Sequence, residues 1–114
     1  MMAVITTLDV KDMTPQEYRA VLDSMGVETR PAGGIYLHVT TTMSFGYRIV
    51  ELWDRKEGFD EFLEERLAPA TRELGIERET EITVTPLHNL FAPRLEEIRG
   101  LVPSLPGAPI AAES

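Results

Sequence analysis

Cysteine is absent from this 114-residue chain, so neither a disulfide nor a thiolate metal site is open to it. Histidine occurs only at positions 38 and 88, and a metal would need carboxylate help from Glu51 or Asp9 that nothing in the spacing requires. No metal and no cofactor is expected. Basic residues are also few: 11 Lys and Arg stand against 19 Asp and Glu, a net charge of -8 that repels phosphate backbones and anionic membrane faces. Nucleic acid and membrane are therefore not expected partners. No apolar run reaches the length of a membrane span, and MMAVITTLDV lacks the basic flank and continuous apolar stretch of a signal peptide. A soluble, cytoplasmic protein is the expectation. Gly33-Gly34 is a turn, because no glycine-rich pattern runs from a strand into a helix, and Ser44 lacks a nucleophile-elbow context.

What is present is organised around Arg48 to Leu74, which holds a strand, an amphipathic helix and the single tryptophan. Asp54 stands where an N-cap belongs, with Glu57 three residues on to complete a capping box. Phe59, Phe62, Leu63, Leu67, Ala70 and Leu74 then recur at spacings of three and four, the buried stripe of a helix. Pro69 cannot donate to the carbonyl of Glu65 and predicts a kink or a break near Ala68.

Upstream, Ala3 to Val10 reads as a strand whose inward face the pattern leaves open. Thr14-Pro15-Gln16-Glu17 is a strong helix start, and Gly26 a helix end, giving a first helix over Pro15 to Met25. Its apolar stripe is Tyr18, Val21, Leu22 and Met25. After a loop over 28–34, Ile35 to Thr42 alternates Ile35, Leu37 and Val39 against Tyr36, His38 and Thr40. Met43 to Gly46 closes a hairpin into Tyr47 to Trp53, where Val50 and Leu52 oppose Tyr47, Ile49, Glu51 and Trp53. Glu81 to Leu87, with Ile82 to Thr85 flanked by Pro86, gives a fourth strand.

The order βαββαβ predicts an α+β, ferredoxin-like layer: a four-stranded antiparallel sheet with both helices on one face. Residues 1–91 form this domain, and 92–114 form a proline-rich C-terminal extension in which Arg94 to Val102 is expected to make a short helix docked on the barrel end or on a partner subunit. The face away from the helices is expected to carry Tyr36, His38, Thr40, Tyr47, Ile49, Glu51 and Trp53, a mix suited to a cavity between two sheets. A homodimer would cover it.

The chain resembles the dimeric α/β-barrel superfamily, in particular the small proteins similar to antibiotic biosynthesis monooxygenases. The resemblance covers about residues 3–93 and is carried by Val50-Glu51-Leu52-Trp53-Asp54-Arg55-Lys56-Glu57-Gly58-Phe59, by Phe62-Leu63 through Leu67-Ala68-Pro69, and by Pro86-Leu87-His88-Asn89. It implies two sheets facing across a twofold axis with a pocket in each half. It also implies a range of activities: cofactor-free oxygenases, polyketide cyclases, haem-degrading enzymes and proteins of no known activity. Haem-degrading relatives place an asparagine on the first strand where this chain has Thr6 and Thr7, which argues against haem.

Among candidate catalytic residues His38 comes first, since imidazole is the side chain whose ordinary pKa permits proton transfer near neutrality. Its plainer alternative is a structural histidine bonded to Tyr36 or Glu51. Glu51 must be paired or protonated if enclosed, either as part of the chemistry or in a salt bridge. His88 and Tyr36 are candidates to stabilise a developing oxyanion, and His88 could equally bond loop carbonyls. For substrate contact the candidates are Trp53 and Tyr47, with Ile49, Thr40 and Asn89; packing at a dimer interface is the alternative for the aromatics. The function expected from these residues and the resemblance is a cofactor-independent monooxygenase or cyclase, abstracting a proton from a polyketide-like or enolisable aromatic substrate. The alternative is a non-catalytic homodimer that binds a hydrophobic metabolite or serves as an interaction module.

Overall fold

At the head of the first helix, α1 (Pro15–Met25), the Thr14 hydroxyl accepts from the Glu17 N–H and the Glu17 carboxylate accepts from the Thr14 N–H, both at 3.1 Å. The capping box predicted from four residues is thus complete, and Gly26 ends the helix in the left-handed region at φ 66°. The computed structural model describes residues 2–109. Strands β1 (Val4–Lys11), β2 (Ile35–Met43), β3 (Gly46–Trp53) and β4 (Thr80–Pro86) form one antiparallel sheet in the order β2-β3-β1-β4. With the helices packed on one face, this is the α+β ferredoxin-like fold. Gly46 is required where the β2–β3 hairpin closes: its φ is 142°, and a Cβ there would lie 2.2 Å from the Val10 carbonyl oxygen.

The second helical run is one path in three parts: α2 (Lys56–Phe62), a π-helical turn (Leu63–Leu67) and α3 (Ala68–Leu74). Pro69 has no N–H for the Glu65 carbonyl. The chain absorbs this by widening, so that the Ala68 N–H reaches back five residues to the Leu63 carbonyl. The expected kink or break therefore takes the form of a π turn. The N-cap is Arg55, without a side-chain hydrogen bond, and not Asp54. Asp54 instead binds the loop before β2: its N–H donates to the Gly34 carbonyl at 2.9 Å, and its carboxylate lies so close that a Cβ on Gly34 would meet Oδ1 at 2.6 Å.

The assignment of faces from alternation is corrected. His38, Thr40, Ile49, Glu51 and Trp53 lie on the helix side of the sheet, together with Tyr47 and with Val4, Thr6, Leu8 and Val10 of β1. Trp53 is 0 % exposed, against Phe59 and Phe62 of α2. The physical reason is that Trp53, Tyr47 and Ile49 carry more apolar bulk than Val50 and Leu52, and that the polar atoms among them find partners inside. A register irregularity between Ile35 and Leu37 also breaks the simple alternation of β2, so that Ile35 and His38 both serve the inner side. The outer face carries Leu37, Val39, Met43, Val50 and Leu52.

Beyond β4, helix α4 (Leu95–Leu101) forms, followed by a 3-10 turn over Val102–Ser104. Its expected docking is not seen within the protomer: Leu95, Ile98, Leu101 and Val102 stay exposed. The segment rejoins the body at the Leu105–Ala108 turn, where Arg19 Nη1 donates to the Gly107 carbonyl at 3.0 Å. Among the described residues no helix is long and apolar enough to cross a membrane.

Candidate functional site

The register of β2 on β3 sets His38 opposite Glu51 and Thr40 opposite Ile49, all facing the helix layer. Glu51 is 4 % exposed, and a carboxylate so deep must have its oxygens satisfied. One oxygen accepts from the Trp53 indole N–H at 3.1 Å and the other from His38 Nδ1 at 2.9 Å. A carboxylate only accepts, so Nδ1 carries the proton and Nε2 presents its lone pair. Two hydroxyls compete for that lone pair: Tyr18 at 2.7 Å and Thr40 at 2.9 Å, themselves 2.8 Å apart. One lone pair takes one donor, so one hydroxyl bonds Nε2 and the other gives its proton to the first hydroxyl's oxygen.

Helix α1 supplies Tyr18, whose ring stacks on Tyr47 with centroids 5.0 Å apart. Burial pushes the Tyr18 phenol above its ordinary range, against the opposing pull of its bond to Thr40, so at neutral pH it is a proton donor. Beside Glu51 on β1, Thr6 is fully buried and its hydroxyl oxygen has no hydrogen-bond partner.

A cavity of about 570 Å³ opens between the helix layer and the sheet, with Tyr18, His38 and Glu51 in its wall. The rest of that wall is mostly aliphatic, including Leu8, Val21, Ile49, Leu67 and Ile82, with Met13 and Met25. At its rim run Glu77, Arg78 and Glu79, and Arg78 is tied to Glu17 by hydrogen bonds of 3.1 and 2.8 Å. That guanidinium holds the Glu17 carboxyl below the usual range, aided by the Thr14 N–H. A second, shallower groove of about 340 Å³ lies beside Arg66, which uses its guanidinium to bond the Met25 and Arg30 carbonyls and so clamps the helices together.

Of the residues picked from sequence, His38, Glu51 and Ile49 line this cavity; Thr40, Tyr47 and Trp53 stand directly behind it. Trp53 is enclosed, so it offers no face for stacking. Tyr36 is exposed at the β2 irregularity, and His88 and Asn89 are exposed beyond the Pro86 end of β4; none of the three lines the cavity. Tyr18 was counted in the sequence only as core. The available signal was its hydroxyl, since a tyrosine within a buried helical stripe needs a partner for its O–H.

No family model matches the chain, and no curated protein matches it in sequence. Solved structures do match in fold. A conserved protein from Methanosarcina mazei superposes with a TM-score of 0.56 at 18% identity, over 75% of this chain and 92% of that one. A mutant of SnoaB, a cofactor-independent oxygenase from Streptomyces nogalater, gives 0.56 at 14% identity, over 81% and 97%. A putative antibiotic biosynthesis monooxygenase from Chloroflexus aurantiacus gives 0.54 at 15%, over 81% and 98%. The chain has the ferredoxin-like fold of these antibiotic biosynthesis monooxygenase-like proteins, and at such identity the likeness is one of fold.

Proposed function

We propose that this protein is a small-molecule enzyme, a cofactor-independent monooxygenase or a cyclase, that abstracts a proton next to a carbonyl inside its cavity. The observation that carries the reading is the chain of hydrogen bonds Trp53 to Glu51 to His38, ending in an Nε2 lone pair beside two hydroxyls at the cavity wall. Glu51 fixes the tautomer and stabilises the imidazolium as it forms. A substrate carbonyl draws the Tyr18 proton into a hydrogen bond, and Thr40 turns its own proton to the Tyr18 oxygen. That releases Nε2 to take the proton from the adjacent carbon. The resulting enolate, held by Tyr18, either adds dioxygen and a proton to give a hydroperoxide or attacks a second carbonyl and closes a ring. The oxygenase outcome agrees in class with what SnoaB is named for.

The test is hydrogen–deuterium exchange at the carbon next to the carbonyl of an enolisable ketone such as 2-tetralone, followed by NMR in D₂O with and without protein. Exchange should be accelerated, and His38→Gln should remove about 10²–10⁴-fold of that acceleration while the circular dichroism is unchanged. Exchange equal in both proteins overturns the role of His38. The apolar cavity also supports a second reading, a non-catalytic carrier of a hydrophobic metabolite, which saturable binding without any exchange would select. In either case we propose a homodimer. Its cover would lie over Leu37, Val39 and Met43 on the outer face, because these are exposed beside Tyr36 in one patch. Trp53 and Ile49 are enclosed within the protomer and give no reason for association.

A further inference from the structure

The reading above makes the cavity the active site; resting on it, we infer the class of molecule that the cavity takes: an uncharged, chiefly aliphatic carbonyl compound. Charge comes first. The wall holds a buried carboxylate, Glu51, and the rim adds Glu77 and Glu79. The cation among the lining groups that could answer an anion is Arg78, and its charge is already answered by Glu17, which binds its Nε and Nη2. A ligand carboxylate would thus enter a site of its own sign and lose its hydration without gaining a free partner.

Shape and lining come second. The two rings in the wall, Tyr18 and Phe62, are each packed against a second ring, Tyr47 and Trp53, and the other apolar lining groups are not aromatic. Those groups are chiefly branched aliphatic side chains with two methionines, whose flexible thioethers adapt to a chain that bends. About 570 Å³ is within the range of pockets that enclose a drug-sized molecule. Polarity comes third. Tyr18 can turn its proton out of the Tyr18–Thr40–His38 triangle to a ligand carbonyl while Thr40 bonds the Tyr18 oxygen, which calls for an acceptor atom at that end of the ligand.

The experiment titrates protein carrying ¹³C-methyl methionine with three probes: 2-undecanone, undecanoate at pH 8, and the planar 2-acetonaphthone. Met13 and Met25 line the cavity, while Met2 and Met43 are exposed away from it and serve as controls. The expected result is shifts confined to Met13 and Met25, with 2-undecanone binding at least tenfold more tightly than either other probe. The double variant Glu77→Gln/Glu79→Gln should narrow the gap to undecanoate and leave that to 2-acetonaphthone unchanged. If 2-acetonaphthone binds as tightly as 2-undecanone, or undecanoate does, the inference is overturned while the cavity as active site stands. If no probe moves Met13 or Met25, both fall.

Discussion

The two faces of the sheet solve opposite problems. The inner face carries a carboxylate, an imidazole and several hydroxyls, among them those of Thr6, Thr40, Tyr47 and the Tyr18 that packs onto it, yet it is the covered one. On the outer face stand Leu37, Val39 and Met43, with Val39 51 % exposed. Glu51, His38, Thr40, Tyr18 and the Trp53 N–H lie inside because they find hydrogen-bond partners there, and a partnered polar group costs little to bury. Aliphatic groups have no such means and need a second surface. Polarity along a strand therefore shows what must be satisfied on each side, and not which side faces water.

Substitutions should separate the two faces by size of effect. Trp53→Ala on the inner face leaves a cavity against Phe59 and Phe62 and strips a donor from Glu51. Unfolding in urea should show a loss of at least about 3–5 kcal/mol, and a loss below 1 kcal/mol would mean the inner face can collapse around the gap. Glu51→Gln is smaller in volume change but sets an amide NH₂ against one of two N–H donors, from Trp53 or from His38. The expected cost is about 1–3 kcal/mol by the same measurement, and wild-type stability would show that the pair is not held as described. Val39→Asp on the outer face should change the stability of the protomer by no more than about 0.5 kcal/mol, while abolishing self-association in sedimentation. A monomer in both proteins would remove the outer face as an interface, and a large loss of stability would erase the contrast between the faces.

Much of the fold could be read directly. The capping box at Thr14 and Glu17, the end at Gly26, the hairpin and the order of elements all rest on contacts within a few residues, which spacing reveals. The faces of β2 and β3 could not be read, since they depend on which side the helices choose and on the irregularity at Tyr36. Asp54 misled for a related reason: a cap is judged from the residues that follow, and here the competing partner, Gly34, lies twenty positions earlier. For the site, His38 and Glu51 stood out by chemistry and fell on one face by period. Tyr18 did not, because its partners come from another element and no local pattern points to them. The tail helix formed where its pattern placed it, without docking on its own protomer, since apolar side chains require a surface and do not specify one.

Trp53 has one more consequence. As the single tryptophan, it dominates the protein's emission under selective excitation, and its enclosure puts that emission toward the blue. Its indole N–H and the His38 ring share one carboxylate, so a positive charge arriving on the imidazole changes the field at the indole across a single group. The molecule thus carries an internal optical reporter wired to its own candidate base. Emission in the unlabelled protein thus reports on changes at the His38–Glu51 pair, with no substrate in hand.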